Sequence, residues 1–334
     1  MPRVAVLLPV RDAAATVRAA VVSLLRGSYR DLTVLAVDDG SRDGTAEVLD
    51  RLAGRDARLR LVRGPGEGIA LALQRGLVAC DAELVARMDA DDVAWPLRLS
   101  RQVEALDADP SLAAVGARVR LIPRGQVRDG MRRYVAWLNG LTTPEELARD
   151  LFVEAPLVHP VSVIRRSALD AAGGWRDGPF PEDYDLWLRL AAQGGRLANV
   201  PATLLDWRES GGRLTRTDPR YGLDRHRALK CAALRAGPLA GAREVALWGA
   251  GETGRAFADA LAVVGLHVAA FVEVDRRKIG RTIRGAPVRS YEEVEGLRGL
   301  PLLVAVGAPG ARDLIRAELA KRGFEEGREF RCVA

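Results

Sequence analysis

From residue 3 to residue 89 the chain alternates strand-like and helix-like segments without a break, and this alternation limits the fold more than any other feature. "RVAVLLPV" (3–10) is an apolar run of strand length, "AATVRAAVVSLLRG" (14–27) has helical spacing and ends on Gly27, and "LTVLAVDDGS" (32–41) is a second strand running into a turn. A helix (44–55), a strand "LRLVRG" (59–64), a helix "GIALALQRGLVAC" (68–80) and a strand "AELVARMD" (82–89) follow. Strands joined through helices need crossover connections, which predicts an α/β fold with a mostly parallel sheet flanked by helices. In open sheets of this kind, ligands sit beyond the carboxyl ends of the strands.

Farther on, 96–110 reads as a helix and 112–122 as a strand, and an Arg-rich polar segment of weak periodicity runs to about 150. "EDYDLWLRLAAQG" (182–194) is an amphipathic helix, and "RESGGRLTRTDPR" (208–220) reads as a loop. Near Gly237-Pro238 the strand and helix pattern begins again, with "REVALWGAGETGRAFADALAVVGLHVAAFVEVD" (243–275) and a further strand, turn and helix over 300–324. A chain of 334 residues exceeds the size of one hydrophobic core, so two domains are expected, 1–235 and 243–334.

Hydrophobic residues at 48% and charged residues at 28% are ordinary for a globular chain. No apolar run approaches the roughly 18 residues a spanning helix needs, which points to a cytoplasmic protein. The net charge of +6 is carried almost wholly by Arg, with Lys only at 230, 278 and 321. A basic surface suits nucleotide phosphates or the anionic inner face of a membrane, where peripheral association is an open alternative. Nucleic acid is not expected as a partner, because no basic run is interleaved with aromatic residues. Cys80, Cys231 and Cys332 are widely separated and lack CxxC spacing, so neither a disulfide framework nor a structural zinc site is indicated.

Three acidic pairs stand at strand or helix ends. Asp38-Asp39 in "VDDGSRDGT" suits either a helix cap or a base or ribose contact. Asp89-Ala90-Asp91 in "VARMDADDVAW" suits either a solvated turn before Pro96 or a site where two carboxylates converge on one Mg²⁺ or Mn²⁺. Glu182-Asp183 in "PFPEDYDLWLRL" is favoured at a helix start by the helix dipole, and it is also a rigid place to hold a general base. His159 reads as a structural histidine, and Trp95, Trp175 and Trp187 suit core packing or an acceptor-sugar pocket.

The stretches "VAVLLPVRD", "VDDGSRDGT", "GIALALQRGL", "ARMDADDVAWPLRLSRQ", "HPVSVIRRSALDAAGGW" and "EDYDLWLRLA" come in the order and approximate spacing of family 2 glycosyltransferases of the GT-A fold, which the chain resembles over about residues 3–215. The resemblance implies an inverting, metal-dependent enzyme that moves one sugar from a nucleotide-diphosphate sugar to a hydroxyl acceptor: a sugar, a lipid-linked sugar or a small molecule in polysaccharide or glycoconjugate synthesis. It implies that Pro9, Val10 and Arg11 border the base, that Asp38 and Asp39 contact base or ribose, and that Asp89, Ala90 and Asp91 form the DXD motif. Asp91 is then the direct ligand of a divalent Mn or Mg cation, Asp89 serves metal, diphosphate and ribose, and Asp92 shapes the turn. Asp183 matches the catalytic base, and Glu182 its neighbour on the acceptor side. Three positions depart from the family pattern. Arg11 stands where an aromatic is frequent, Leu73 where many members carry an Arg toward the diphosphate, and Ser210 where a metal-binding His is frequent. Arg75, two residues beyond Leu73, is the open candidate for the diphosphate contact.

In the second domain, Gly249-x-Gly251-x-x-Gly254 lies between a predicted strand and a predicted helix, with Glu273 about 20 residues on, as a dinucleotide site requires. The domain resembles small Rossmann-like modules of sugar-modifying enzymes, where a nucleotide or dinucleotide ligand and a purely structural role both stay open. Two other readings of the whole chain also stay open: an NAD(P)-dependent oxidoreductase or epimerase centred on these glycines, and an inactive nucleotide-sugar sensor.

Overall fold

The computed structural model describes residues 2–123 and 127–334. The chain forms two compact units, Met1–Ala148 with Pro156–Pro219, and Arg149–Ala155 with Arg220–Ala334. Three residues of the Arg-rich segment, 124–126, lie outside the described residues.

The first unit opens with β1 (Val4–Val10), α1 (Val17–Leu25), β2 (Leu32–Asp39), α2 (Thr45–Ala53), β3 (Leu59–Gly64), α3 (Ile69–Val78) and β4 (Leu84–Arg87). All eight residues of β2 are buried, and six of seven in β1. Burial on both faces explains why these strands read as continuous apolar runs rather than alternating ones. Each fully buried Val or Leu there contributes roughly 1.5–3 kcal/mol.

The unit continues through β5 (Val93–Ala94), α4 (Arg98–Ala108), β6 (Leu112–Ile122), α5 (Asp129–Gly140), α6 (Pro144–Asp150), a 3₁₀ turn His159–Val161, β7 (Val163–Arg165), α7 (Arg166–Ala171), α8 (Glu182–Ala192), β8 (Arg196–Arg208) and α9 (Leu214–Thr217). Its sheet has the order β3-β2-β1-β4-β7-β6-β8-β5. The first four strands are parallel, as the alternation predicts. Beyond β4 the sheet becomes mixed, because β7 enters antiparallel to both β4 and β6 while β8 runs parallel to β6. The weakly periodic segment before residue 150 contains α5 and α6; Val135 and Leu138, one turn apart, bury one face of α5. The stretch read as a loop over 208–220 includes the short α9.

The second unit has α10 (Leu223–Ala236), β9 (Glu244–Trp248), α11 (Glu252–Val263), β10 (His267–Glu273), β11 (Thr282–Ile283), β12 (Ala286–Ser290), β13 (Leu302–Val304), α12 (Ala311–Lys321) and β14 (Phe330–Cys332). The sheet order is β11-β12-β10-β9-β13-β14, parallel except for the β11/β12 hairpin. The order reverses at β9, whose carboxyl end leads into the glycine turn. Ligands of doubly wound sheets sit at such a point.

The boundary drawn at 235–243 lies later than the division between the units, because α10 buries Cys231 and Leu234 in one cluster with Val245, Phe257 and Leu261. A helix belongs with the core that covers its apolar stripe, whatever punctuation follows it. Lys230 on α10 donates to the carbonyls of Val153 at 2.5 Å and Val333 at 3.2 Å, which ties the 149–155 segment into the same unit. Among the described residues, no helix is long and apolar enough to cross a membrane.

Candidate active site

Parallel register sets the carboxyl ends of β1, β2 and β4 side by side: Val10 pairs with Asp38, and Leu7 with Arg87, two residues before Asp89. Arg11 and Asp12 follow β1 as exposed residues, and Asp12 adopts φ +49°. The Asp12 N–H donates to Ser41 Oγ at 3.0 Å, and its Oδ1 accepts from the Arg42 N–H at 2.7 Å, so the turns after β1 and β2 brace each other.

Asp38 and Asp39 are both nearly buried, at 5% and 4% exposure, and their partners differ. Asp38 pairs with Arg63 at 2.9 Å and accepts from the Ser41 N–H. Asp39 accepts three backbone N–H groups, from Gly66 and Glu67 on Oδ1 and from Gly68 on Oδ2, at 2.7 to 3.0 Å. Here Asp39 organises the turn between β3 and α3, a role its sequence context did not suggest. Gly64 is required beside it, since a Cβ there would lie 2.8 Å from Asp39 Oδ1. Arg75 on α3 reaches Glu67 on that same turn at 2.5 Å. Leu73, in contrast, points into the core, with no exposure.

At the end of β4, carboxylate oxygens of Asp89, Asp91 and Asp92 all lie within 4.8 Å of one another. Burial raises the pKa of Asp91, the Asp89 charge adds to the rise, and Arg213 and Arg208 oppose it. Burial also pushes Asp92 well up, with Asp89 and Asp91 adding to it. Asp92 Oδ1 accepts from the Arg208 N–H at 2.7 Å, while its buried Oδ2 has no hydrogen-bond partner among the described residues. Like charges gathered in a partly dry site, with one orphaned oxygen, suit a hard cation with oxygen ligands. Asp91 and Asp89 are the half-exposed members and can face such an ion, whereas Asp92 is 1% exposed and joins the turn to β8. Ser210 is exposed on the stretch after β8, and two basic side chains of this stretch are held by its neighbours. Arg213 lies over the Trp207 ring at 4.2 Å and pairs with Glu209 at 3.0 Å, and Arg216 also pairs with Glu209.

Two buried arginines that sequence reasoning missed support this acidic turn. Arg87 is 2% exposed, and its Nη1 lies 2.5 Å from Asp89 Oδ1 in an ion pair whose angles fall short of a hydrogen bond. Arg98, 1% exposed, donates to the Arg87 carbonyl at 2.5 Å and toward Gln102 at 3.3 Å. Burial pulls the Arg98 pKa down to about 9, against the pull of Asp92. The available signal was an Arg inside an apolar strand, in "ELVARMD", since a charge at such a position needs a partner.

Glu182 and Asp183 open α8, and Glu182 is 2% exposed while Asp183 is half-buried. Asp183 Oδ1 accepts from the Tyr184 N–H at 2.7 Å. His159 Nδ1 lies 3.7 Å from Glu182 Oε1, and its Nε2 accepts from Trp175 Nε1 at 2.9 Å. Burial drives the His159 pKa well below 6.5, and the Arg87 charge adds to the effect. Asp89, Arg87, His159 and Glu182 thus form a chain of electrostatic neighbours between the two acidic motifs. Trp175 and Trp187 are buried around His159, whereas Trp95 donates to Asp206 at 3.0 Å with Arg120 over its ring.

The profile of Glycosyl transferase family 2 matches residues 5–173, half of the chain, and so includes β1 to β4 and the acidic turn. The chain belongs to this family. The resemblance read from six motifs is thereby established, and the α/β fold agrees with solved relatives. A glycosyltransferase of Haemophilus influenzae without an assigned activity is 32% identical over 171 residues, 51% of this chain and 60% of that protein. The mannosyltransferase PcManGT from Pyrobaculum calidifontis, solved with GDP-Man and Mn²⁺, superposes with a TM-score of 0.50 at 24% identity, covering 70% of this chain and 62% of that one. TarS 1-349 from S. aureus, solved with UDP-GlcNAc, gives a TM-score of 0.58 at 14% identity over 78% of this chain and 71% of that one. At these identities the two structures speak for the fold of the family 2 chain.

In the second unit, the three glycines have different surroundings. Gly249 has φ +113°, and a Cβ there would lie 2.9 Å from the Ala305 carbonyl; a Cβ on Gly254 would lie 1.7 Å from the Gly249 carbonyl. A Cβ on Gly251 would meet no described atom within 4 Å. Glu273 turns back onto the glycine turn, accepting from the Ala250 N–H at 3.2 Å and pairing with Lys278 at 3.0 Å. Burial alone would raise its pKa, but Lys278 and the backbone donors outweigh that and hold it below the usual value.

Proposed function

We propose that this chain transfers one sugar from a nucleotide-diphosphate sugar to an acceptor hydroxyl, with inversion at the anomeric carbon and dependence on Mn²⁺ or Mg²⁺. The observation that carries the reading is the cluster of Asp89, Asp91 and Asp92 at the carboxyl edge of a family 2 sheet, electrostatically linked through Arg87 and His159 to Glu182 beside Asp183. The donor complexes of PcManGT and TarS, one of them with Mn²⁺, support the same donor class.

Pro9, Val10, Arg11, Asp38 and Asp39 border the nucleoside in this reading, and Arg75 stands near the diphosphate. Asp91, with Asp89, would hold the cation, which when bound offsets charge on the departing diphosphate. Arg208 and Arg213 add positive charge at Asp91. Asp183 takes the proton of the acceptor hydroxyl while its oxygen bonds to the anomeric carbon and the bond from that carbon to the diphosphate oxygen breaks. The nucleoside diphosphate leaves, and no glycosyl-enzyme forms. Asp183→Asn is expected to keep nucleotide-sugar affinity and lose at least about 100-fold in transfer. Undiminished transfer would place the base elsewhere, and a product of retained configuration would rule out direct displacement.

For the second unit the reading is a nucleotide or dinucleotide phosphate at the turn of Gly249, Gly251 and Gly254, supported by the open space at Gly251. An oxidoreductase would instead show a change in cofactor absorbance when sugars are added. A sensor would bind the nucleotide sugar without turnover, as the departures at Arg11, Leu73 and Ser210 allow.

A further inference from the structure

His159 is one of three histidines in the chain, and the transfer reaction as described assigns it no part. Its protonation can be read from its partner. The indole N–H of Trp175 is a donor only, so at 2.9 Å His159 Nε2 must accept, and the single proton of the neutral ring sits on Nδ1. That nitrogen faces Glu182 Oε1 at 3.7 Å, longer than a formed hydrogen bond and close enough to become one after a small rotation of either side chain. Trp187 meets the imidazole edge-on at 5.9 Å, and His159, Trp175, Glu182 and Trp187 are each at most 5% exposed, so the ring has little freedom to turn.

We propose that His159 is a positioning residue for sugar transfer: Trp175 fixes its Nδ1–H tautomer, and that N–H steers the Glu182 carboxylate beside Asp183 at the start of α8. Burial keeps the ring neutral, with the nearby Arg87 charge reinforcing it. Neutrality is required by the geometry, because a proton on Nε2 would oppose the Trp175 donor. The assignment deepens the reading of Glu182 and Asp183 as the catalytic pair and rests on it.

The test uses the full-length chain labelled with ¹⁵N-histidine. The His159 resonances are assigned by their loss in His159→Asn, leaving those of His226 and His267. From about pH 6 to about pH 8 the expected spectrum shows a protonated Nδ1 and an unprotonated Nε2, a preference that Trp175→Phe weakens. An Nε2–H tautomer or a doubly protonated ring overturns the proposal. In kinetics, His159→Asn places an amide nitrogen where Nδ1 was and should retain kcat within about fivefold, whereas His159→Leu should lose about 10- to 100-fold with unchanged affinity for the nucleotide sugar. Equal kcat in the two variants overturns the positioning role. If His159→Leu does not fold, the tautomer and the Trp175→Phe rate decide. Should Asp183→Asn remain active, the catalytic-pair reading fails by itself, which separates its failure from that of the tautomer assignment.

Discussion

The backbone N–H of Arg208 donates to Oδ1 of Asp92 at 2.7 Å, and the Arg208 Nε donates to the Asp91 carbonyl at 2.8 Å, so the end of β8 and the acidic turn are locked together. Asp91 and Asp92 are adjacent in sequence and have different expected roles. Asp92→Ala should lower unfolding stability by about 1–3 kcal/mol, because a buried donor loses its acceptor. Asp92→Asn keeps an acceptor, removes one of three like charges, and should cost less than half as much. Asp91→Asn should leave the melting temperature nearly unchanged and abolish the effect of Mn²⁺ on nucleotide binding. Chemical denaturation paired with calorimetric titration separates the three variants.

Arg98 links the turn to the core through the Arg87 carbonyl and Gln102, whose amide reaches the Val161 carbonyl at 2.5 Å. Arg98→Ala removes a buried positive charge that Asp92 attracts, takes a donor from the Arg87 carbonyl and opens a cavity, and it should cost about 2–5 kcal/mol. Arg98→Met fills much of that volume and should recover part of the loss. Urea unfolding curves with unchanged slopes provide the comparison.

His159 predicts a pH effect on stability. Its folded pKa lies well below 6.5 because of burial, whereas the unfolded chain takes up a proton near 6.5. Below about pH 6.5 the unfolded state therefore binds more protons, so the contribution is complete above that pH and declines as pH falls toward the folded value. The melting temperature should fall between about pH 7 and pH 5, with Arg87 and Glu182 as the charged neighbours, and His159→Asn should flatten that part of the profile.

Gly254→Ala brings a Cβ to within 1.7 Å of a backbone carbonyl and should unfold the second unit or lower its melting temperature sharply. Gly251→Ala meets open space at φ −81° and should leave stability within about 0.5 kcal/mol. If a phosphate sits on the turn, Gly251→Val should weaken nucleotide-dependent thermal stabilisation of a chain that otherwise melts normally. Differential scanning fluorimetry with and without added nucleotides reads both effects.

Much of the first half was legible because parallel strands buried on both faces announce themselves as apolar runs, and two of the helices between them, α1 and α2, run out at Gly27 and Gly54. The later half was less so. β7 has only three residues, and its antiparallel entry depends on neighbours far away in sequence. β8 carries Pro201 within "RLANVPATLLDWR", and its register with β6 shifts between Ala117 and Arg118, which obscures any simple alternation. Packing, not the Gly237-Pro238 pair, decided that α10 belongs to the second unit.

By itself the sequence determined the α/β class, the acidic pairs at the ends of strands and at the start of α8, and, through six ordered motifs, the family. These are local patterns of burial period and residue type, and they need no knowledge of which segments meet. Only the tertiary structure decided that Asp39 spends its oxygens on the β3–α3 turn, that Arg87 and Arg98 brace the acidic turn, and that Trp175, His159 and Glu182 form one buried line. His159 lies on a 3₁₀ turn, Trp175 in the stretch between α7 and α8, and Glu182 at the start of α8, and the tautomer of a histidine is fixed by what packs against its two nitrogens.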